Sequence, residues 1–211
     1  MRWTIALFTL LLFGGCSVVK DVPEPAYVRL QPESFAAGHR AGTCHDRVLQ
    51  LAAPNAPMPL QTIDIVYSDS NGTVYRYTKT RWETPPVLQW RRLVETTLAG
   101  SGLFKAVVSD DSLAKSDWIM EWRLADMSQT IADDRSARTR LSFFVSVLDR
   151  YSREVIAQRV FAYTRTQKEG DLRTALASWN AMGERFEGDF AEWFAQLCER
   201  HPSPGNPDAG L

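Results

Sequence analysis

Large apolar residues alternate with polar ones along much of the chain, and this period of two predicts β-strands. The pattern is clearest in the second half, where it predicts three consecutive strands at 118–124, 141–147 and 155–166. Shorter β-prone runs precede them, at 27–30, 47–52, 63–67, 74–78 and 103–108. Asn71-Gly72 lies between two of these short runs. This dipeptide indicates a tight hairpin.

Two segments instead have the spacing of three and four residues that is typical of helices. Pro85 and Pro86 begin the first, in positions where an initial helical turn tolerates proline, and Gly100 ends it. In the second, an apolar stripe extends from Leu172 to Leu197 and predicts a helix with one buried face. Together these segments predict a single α+β domain, a mostly antiparallel sheet with two amphipathic helices packed on it.

The first sixteen residues have the features of a lipoprotein export signal. After a short basic start, an apolar run extends from Ile5 to Phe13, and Gly14-Gly15 precede Cys16. About nine apolar residues are too few to span a bilayer, which needs roughly twenty, but they suit a signal peptide. Small residues directly before Cys16 predict a bacterial lipobox, in which the sulfur of this cysteine receives a diacylglycerol and the chain is cut just before it. The alternative is an ordinary signal peptide with an accidental cysteine.

The lipobox divides the chain into four parts. We expect a signal peptide at 1–15, a lipid-anchored tether at 16–43, the folded domain at 44–200 and a disordered tail at 201–211. More than one acyl chain on the cysteine makes membrane attachment stable. Because Ser17 follows Cys16, where an aspartate would retain the protein at the inner membrane, we expect an outer-membrane anchor facing the periplasm of a Gram-negative cell.

The composition excludes several classes of protein. The 24 basic and 25 acidic residues give a net charge of −1, which argues against a nucleic-acid binder that relies on bulk charge. The sequence contains neither a Cys-x-x-Cys nor a His-x-x-x-His pair, so no metal site is predicted. It also lacks a Gly-x-Ser-x-Gly turn, a Gly-x-Gly-x-x-Gly loop and a Walker A loop. We therefore expect a protein that is not an enzyme, with no catalytic residues and no cofactor.

A few polar groups could be interpreted as catalytic or metal-binding. They are His39, His45 with Asp46, and the carboxylate pairs Asp110-Asp111 and Asp133-Asp134. We favour the simpler interpretation, in which the histidines are polar residues of the loop before the first strand of the body. The aspartate pairs then bend and cap turns, as aspartate commonly does.

Several short motifs follow one another in a recognisable order. They are the lipobox, Tyr27-Val28-Arg29-Leu30, a hairpin around Tyr75 and Tyr77, Arg81-Trp82 before the first helix, Gly102-Leu103-Phe104 after it, Ser136-Ala137-Arg138 and Val160-Phe161. This order resembles the ABC-type transport auxiliary lipoprotein family over nearly all of residues 16–200. The Arg-Trp pair and the Gly-x-Phe motif are its most specific parts.

The resemblance implies a non-enzymatic accessory of an MCE-type ABC transporter that moves phospholipids between the inner and outer membranes. Its partners would be an MCE-domain protein and the permease and ATPase chains, with no nucleic acid, and a homo-oligomer is left open. We choose Arg81 and Trp82 as an exposed partner contact, because indole rings are favoured at interfaces. The alternative function is an envelope enzyme or lipid carrier acting on membrane lipids.

The remaining cysteines predict a disulfide. Once Cys16 is acylated, only Cys44 and Cys198 are left, and the periplasm oxidises thiols. Cys44 precedes the first strand of the body and Cys198 ends the last helix, so a bridge would hold that helix against the sheet. The alternative is two separate buried thiols.

Overall fold

A computed structural model describes residues 24–31 and 44–202 of the chain. Within these residues, eight strands form one sheet and two α-helices pack on it. The strands are β1 (Ala26–Val28), β2 (Cys44–Leu51), β3 (Asp64–Asp69), β4 (Val74–Trp82), β5 (Phe104–Val108), β6 (Trp118–Ile131), β7 (Ala137–Asp149) and β8 (Val155–Gln167). The helices are α1 (Pro86–Gly100) and α2 (Leu172–Arg200), and a short 3-10 turn spans Met58–Gln61. The predicted α+β class is confirmed.

Strand β6 is the centre of the sheet. On one side it pairs antiparallel with β7 along its whole length, and β7 pairs antiparallel with β8. On its other side β6 has two parallel partners in succession, first β2 at 118–120 and then β3 at 130–131. Strands β4 and β1 extend the sheet beyond β3, and β5 extends it beyond β2. The antiparallel ladders are the long ones, so the mixed sheet is mostly antiparallel, as predicted.

Both helices lie on the same face of the sheet, and aromatic side chains fill the space between them and the strands. Phe143 of β7 stacks on Phe186 of α2 with ring centroids 4.1 Å apart. Trp90 of α1 contacts both of these rings edge-on, at 5.0 and 6.2 Å. All three side chains are almost completely buried. The alternation in the sequence therefore separates a helix-covered face from an exposed face.

The sequence signals that predicted the hairpin at Asn71-Gly72 and the strand at 27–30 correspond to a hairpin and a strand of the structure. Gly72 has a φ of +84° in the β3–β4 hairpin, a conformation that suits glycine. The Asp69 carboxylate accepts hydrogen bonds from the backbone N–H groups of Asn71 and Thr73, at 2.9 and 2.8 Å. The β-prone run at 27–30 forms the edge strand β1, although it lies inside the segment assigned to the tether.

The predicted disulfide is present between Cys44 and Cys198, with a Cα–Cα distance of 5.3 Å. Both cysteines are completely buried. The bond joins the first residue of β2 to the last turn of α2. It therefore ties the long helix to the sheet, as the sequence predicts.

Helix α2 begins with a reciprocal cap that yields a testable expectation. The Asp171 carboxylate accepts from the Thr174 backbone N–H at 2.7 Å, and the Thr174 hydroxyl accepts from the Asp171 backbone N–H at 3.3 Å. The hydrogen bonds from Thr174 hold the pKa of Asp171 below its usual 3.8. Asp171→Ala should therefore lower the free energy of unfolding by about 1 kcal/mol at neutral pH.

The pH dependence of this loss follows from the direction of the shift. Because the folded pKa is lowered, the charge-dependent part of the cap is fully present above pH 3.8 and disappears as the pH falls through the folded pKa. Urea unfolding at neutral and strongly acidic pH checks this. Asp171→Asn is the control, since it keeps a capping oxygen without a titrating charge. An equal loss for Asp171→Ala at both pH values would contradict the assignment.

Candidate functional site

The face of the sheet opposite the helices carries a depression that we call the arginine pocket. It has a volume of about 240 Å³ and is lined by Thr130, Ala132, Ser136, Ala137, Arg138, Arg140 and Thr166. Arg138 and Arg140 are two residues apart on β7, so both side chains lie on the exposed face while Ala137, Thr139 and Leu141 are buried. Within residues 24–31 and 44–202, neither guanidinium has an ion pair or a hydrogen bond.

The carboxylates nearest in sequence to the arginine pocket have other partners. Asp134, in the β6–β7 turn, accepts hydrogen bonds from the Ser136 hydroxyl at 2.6 Å and from the Ser136 backbone N–H at 2.9 Å. These bonds lower the pKa of Asp134. The neighbouring Asp133 accepts from the Ser70 hydroxyl at 3.2 Å, which links this turn to the β3–β4 hairpin. The turn acids therefore hold loops together, and no carboxylate of the described residues forms an ion pair with Arg138 or Arg140.

A second feature, which we call the apolar groove, lies between β3 and β6. These strands pair only at their ends, so among the described residues 125–129 of β6 have no strand partner on this side. Pro59 and Leu60 of the 3-10 turn line this gap. The groove has a volume of about 210 Å³ and is lined by Pro57, Pro59, Leu60, Val66, Tyr67, Ser68, Val74 and residues 125–129. Met58 and Val74 are 70% and 66% exposed, so apolar surface extends outside it.

The floor of the apolar groove rests on buried side chains. Leu60, Val66 and Met127 also line a small cavity of about 10 Å³ that reaches Trp82 and Trp179. Farther along β6, Gln129 accepts a hydrogen bond from the Tyr77 hydroxyl at 2.8 Å and donates one to the Asp171 carbonyl at 3.1 Å. Burial, and to a lesser extent the neighbouring Tyr67 and Asp171, raises the pKa of Tyr77 to about 12. These contacts hold the groove wall against the start of α2.

The apolar groove and the arginine pocket are adjacent. The register of β6 and β7 places Ser128, in the groove, opposite Arg140, and Thr130 opposite Arg138. The Thr130 hydroxyl in turn shares a hydrogen bond of 3.1 Å with Ser68 on the far side of the groove. The two features therefore place apolar contacts next to two guanidinium groups that have no ion pair within residues 24–31 and 44–202. Such a surface suits an amphipathic anion.

The expectation that Trp82 is exposed is wrong. Its side chain is 3% exposed and contacts the ring of Trp179 with centroids 5.8 Å apart. The Arg81-Trp82 pair is not in a loop, because β4 continues through both residues and pairs with β1. Alternation along the strand turns Trp82 inward beneath α2 and leaves the neighbouring Arg81 side chain 41% exposed, at 3.8 Å from Asp64. A partner contact at Arg81 stays a prediction.

The other polar groups of the sequence analysis lie apart from this surface. His45 and Asp46 are exposed residues of β2 rather than of a preceding loop, with 3.3 Å between Nε2 and Oδ2. Asp110 pairs with Arg91 at 2.6 Å, and Asp111 accepts a hydrogen bond from Ser109. No group of three metal-ligating side chains occurs in the described parts of the chain. Cys16 and His39 lie outside them.

The sequence analysis did not identify the groove or Arg140. Arg138 entered it only as part of a three-residue motif. The available signal was two arginines spaced by two residues on a strongly alternating strand, which places both on the polar face. The groove has no local sequence signal, because it depends on how β3 and β6 diverge.

Comparison with known proteins supports the fold. No protein-family model matches the sequence, and no curated protein does. The crystal structure of protein XCC0632 from Xanthomonas campestris, described by the family model DUF330, is similar with a TM-score of 0.69 and 15% identity, covering 84% of this chain and 98% of that one. A crystal structure described as an uncharacterized protein is similar with a TM-score of 0.57 and 13% identity, covering 82% and 99%.

At 15% and 13% identity, these comparisons show a similarity of fold alone. The chain thus has the α+β architecture of a DUF330 protein over nearly the whole length of that structure. In the part of the chain that the structure describes, neither helix is both long and apolar enough to cross a membrane.

Proposed function

We propose that this chain is a lipid-anchored periplasmic accessory subunit of an MCE-type ABC transport system, attached to the outer membrane, with a non-catalytic role in phospholipid traffic. The observation that carries the proposal is Gly14-Gly15-Cys16 at the end of an apolar run, ten residues before strand β1 begins at Ala26. Ten residues extend over at most about 36 Å. An acyl anchor on Cys16 would therefore keep the sheet close to the membrane surface.

The direction of β1 supports one orientation of the domain. Strand β4 leaves the β3–β4 hairpin, and β1 runs parallel to it, pairing Ala26 with Thr80 and Val28 with Trp82. Strand β1 itself lies beside the end of β4 that is away from the hairpin, but the chain enters β1 from the direction of the hairpin. The β6–β7 turn and the arginine pocket are at the hairpin end of the sheet, because Ser68 pairs with Thr130 and Thr130 with Arg138. An anchored domain would turn this end toward the bilayer.

The accessory role is supported by the order of motifs along the sequence and by the fold. The motif order resembles that of transport auxiliary lipoproteins, and the fold is that of a DUF330 protein. In this proposal, other chains of the transporter hydrolyse ATP and form the membrane-spanning part. The exposed Arg81 at the end of β4 is the residue we propose for contact with the MCE-domain partner.

Replacement of the anchor residue tests the proposal. The wild-type protein should fractionate with the outer membrane, incorporate labelled acyl chains and co-purify with an MCE-domain protein from detergent-solubilised envelope. Cys16→Ser should abolish acyl incorporation and leave an uncleaved or unanchored form, because serine has no thiol to acylate. Arg123→Gln is a control that leaves Cys16 and the Cys44–Cys198 disulfide intact and should still be labelled. Normal labelling of Cys16→Ser, or purification of the wild type without any transporter subunit, would contradict the proposal.

A further inference from the structure

We propose that the apolar groove and the arginine pocket together bind one phospholipid molecule, with its phosphate at Arg138 and Arg140 and an acyl chain in the groove. The inference rests on the proposed function in one respect: membrane attachment makes a membrane lipid the source of the ligand. It goes beyond a docking role, because it gives this chain a lipid-binding site of its own.

The phosphate assignment follows from the two guanidinium groups. Their Cα atoms are about 7 Å apart, two residues along one strand, so both side chains can reach the same tetrahedral anion. Arginine presents planar pairs of N–H donors that match phosphate oxygens. Neither Arg138 nor Arg140 has an acidic partner in the described residues, so no ion pair competes with an incoming anion. The Thr166 hydroxyl lines the same pocket.

The acyl-chain assignment follows from the lining of the apolar groove. Leu60, Val66 and Met127 form its floor, and the exposed Val74 continues its wall into solvent. An acyl chain placed here would remove this apolar surface from water, which is favourable. The one carboxylate that lines the groove belongs to Asp126. Asp126 pairs with Ser142, two residues along β7 from Arg140, so its carboxylate repels an anionic head within the groove and favours its position at the arginines.

The combination selects the class of ligand. A free phosphate would use only the arginine pocket, and an uncharged apolar molecule would use only the groove. An anion that carries an apolar chain fills both, because Ser128 and Arg140 are direct neighbours across β6 and β7.

The test measures binding of a phospholipid by the purified, acylated full-length mature protein in mild detergent. The probe is phosphatidylglycerol with a fluorescent acyl chain. We expect one probe per chain and a loss of affinity of about tenfold or more in Arg138→Gln/Arg140→Gln, since two charge-assisted contacts disappear. Val74→Glu, which puts a charge at the exposed groove wall, should weaken binding as well. The matched control is Arg123→Gln, an exposed arginine of the same sheet face that lies over Phe144 and outside both features.

Two further ligands separate the halves of the site. Glycerol 3-phosphate, which has no acyl chain, and diacylglycerol with the same fluorescent chain, which has no phosphate, should each bind more weakly than the phospholipid. Equal binding of glycerol 3-phosphate would mean a phosphate site alone, and equal binding of diacylglycerol would mean an apolar site alone. Either result overturns the inference, and so does a wild-type protein that binds no phospholipid, or an Arg123→Gln variant that loses as much affinity as the double variant.

The inference and the proposed function fail in different ways. Co-purification with an MCE-domain protein, measured on the same wild-type preparation, reports the proposed function. If the transporter subunit co-purifies but no phospholipid binds, the inference is wrong and the accessory role stands. If phospholipid binds with the expected dependence on Arg138 and Arg140 but no transporter subunit co-purifies, the lipid site stands and the accessory role is wrong.

Discussion

Loss of the Cys44–Cys198 disulfide is expected to lower the free energy of unfolding by up to about 5 kcal/mol, because the bond closes a very long loop. The two cysteines are 154 residues apart in sequence, so the bond strongly restricts the unfolded chain. In the folded protein it connects β2 to the last turn of α2. The variant Cys44→Ala/Cys198→Ala removes the bond with small side chains, and urea unfolding measures the loss.

Two controls keep this prediction specific. A reductant should destabilise the wild type by a similar amount and leave the double variant unchanged, since that variant has no bond to reduce. A thiol assay on the denatured, unreduced mature protein should find no reactive thiol, because Cys16 is expected to be acylated. Two reactive thiols per chain, or a double variant within about 1 kcal/mol of the wild type, would contradict the prediction.

Trp82→Ala is expected to lower the free energy of unfolding by about 3–5 kcal/mol, the usual cost of truncating a buried aromatic side chain. The ring lies between β4 and α2 against Trp179, and it borders the small cavity beneath the apolar groove. Its removal would therefore enlarge an existing void at the junction of sheet and helix. Urea unfolding of the variant measures the effect.

The neighbouring residue provides the control for Trp82. Arg81→Ala changes a partly exposed side chain on the same strand, at 3.8 Å from Asp64, and should alter stability by less than about 0.5 kcal/mol. If Arg81 is the partner contact, co-purification with the transporter should decrease in this variant while its stability stays unchanged. A loss of less than about 1 kcal/mol in Trp82→Ala would show that the indole ring is not part of the core.

The break in the pattern of β6 shows where sequence reasoning stopped. Even-numbered residues from Trp118 to Leu124 are buried, and the predicted strand ended there. In the structure β6 continues to Ile131, but an irregularity between Leu124 and Asp126 changes the buried set to odd-numbered positions such as Met127 and Gln129. A bulge of this kind moves side chains from one face to the other. The alternation visible in the sequence therefore breaks at this irregularity although the strand continues, and the groove lies beside it.

By itself, the sequence determined most of the elements of this protein and the buried faces of β7 and of the two helices. A strand buried on one side must alternate, a helix buried on one side must repeat every three or four residues, and Asn71-Gly72 suits a tight hairpin. These are local requirements, so a segment's strand, helix or turn can be recognised without knowing which other segment it packs against. The Cys44–Cys198 disulfide was also predicted from the sequence, because an expected oxidising periplasm and an acylated Cys16 would leave these two cysteines to pair, and the structure confirms it over two separate thiols.

Only the tertiary structure decided which strands are neighbours and what lies between them. Strand β6 has first β2 and then β3 as parallel partners, and a groove opens where β3 diverges. Both features depend on contacts between residues far apart in sequence. The burial of Trp82 required β1 to pair with β4 and α2 to cover them, and neither contact has a local signal. The position of Arg138 and Arg140 beside the groove is set by the register of β6 and β7, which is fixed by packing of the whole buried face.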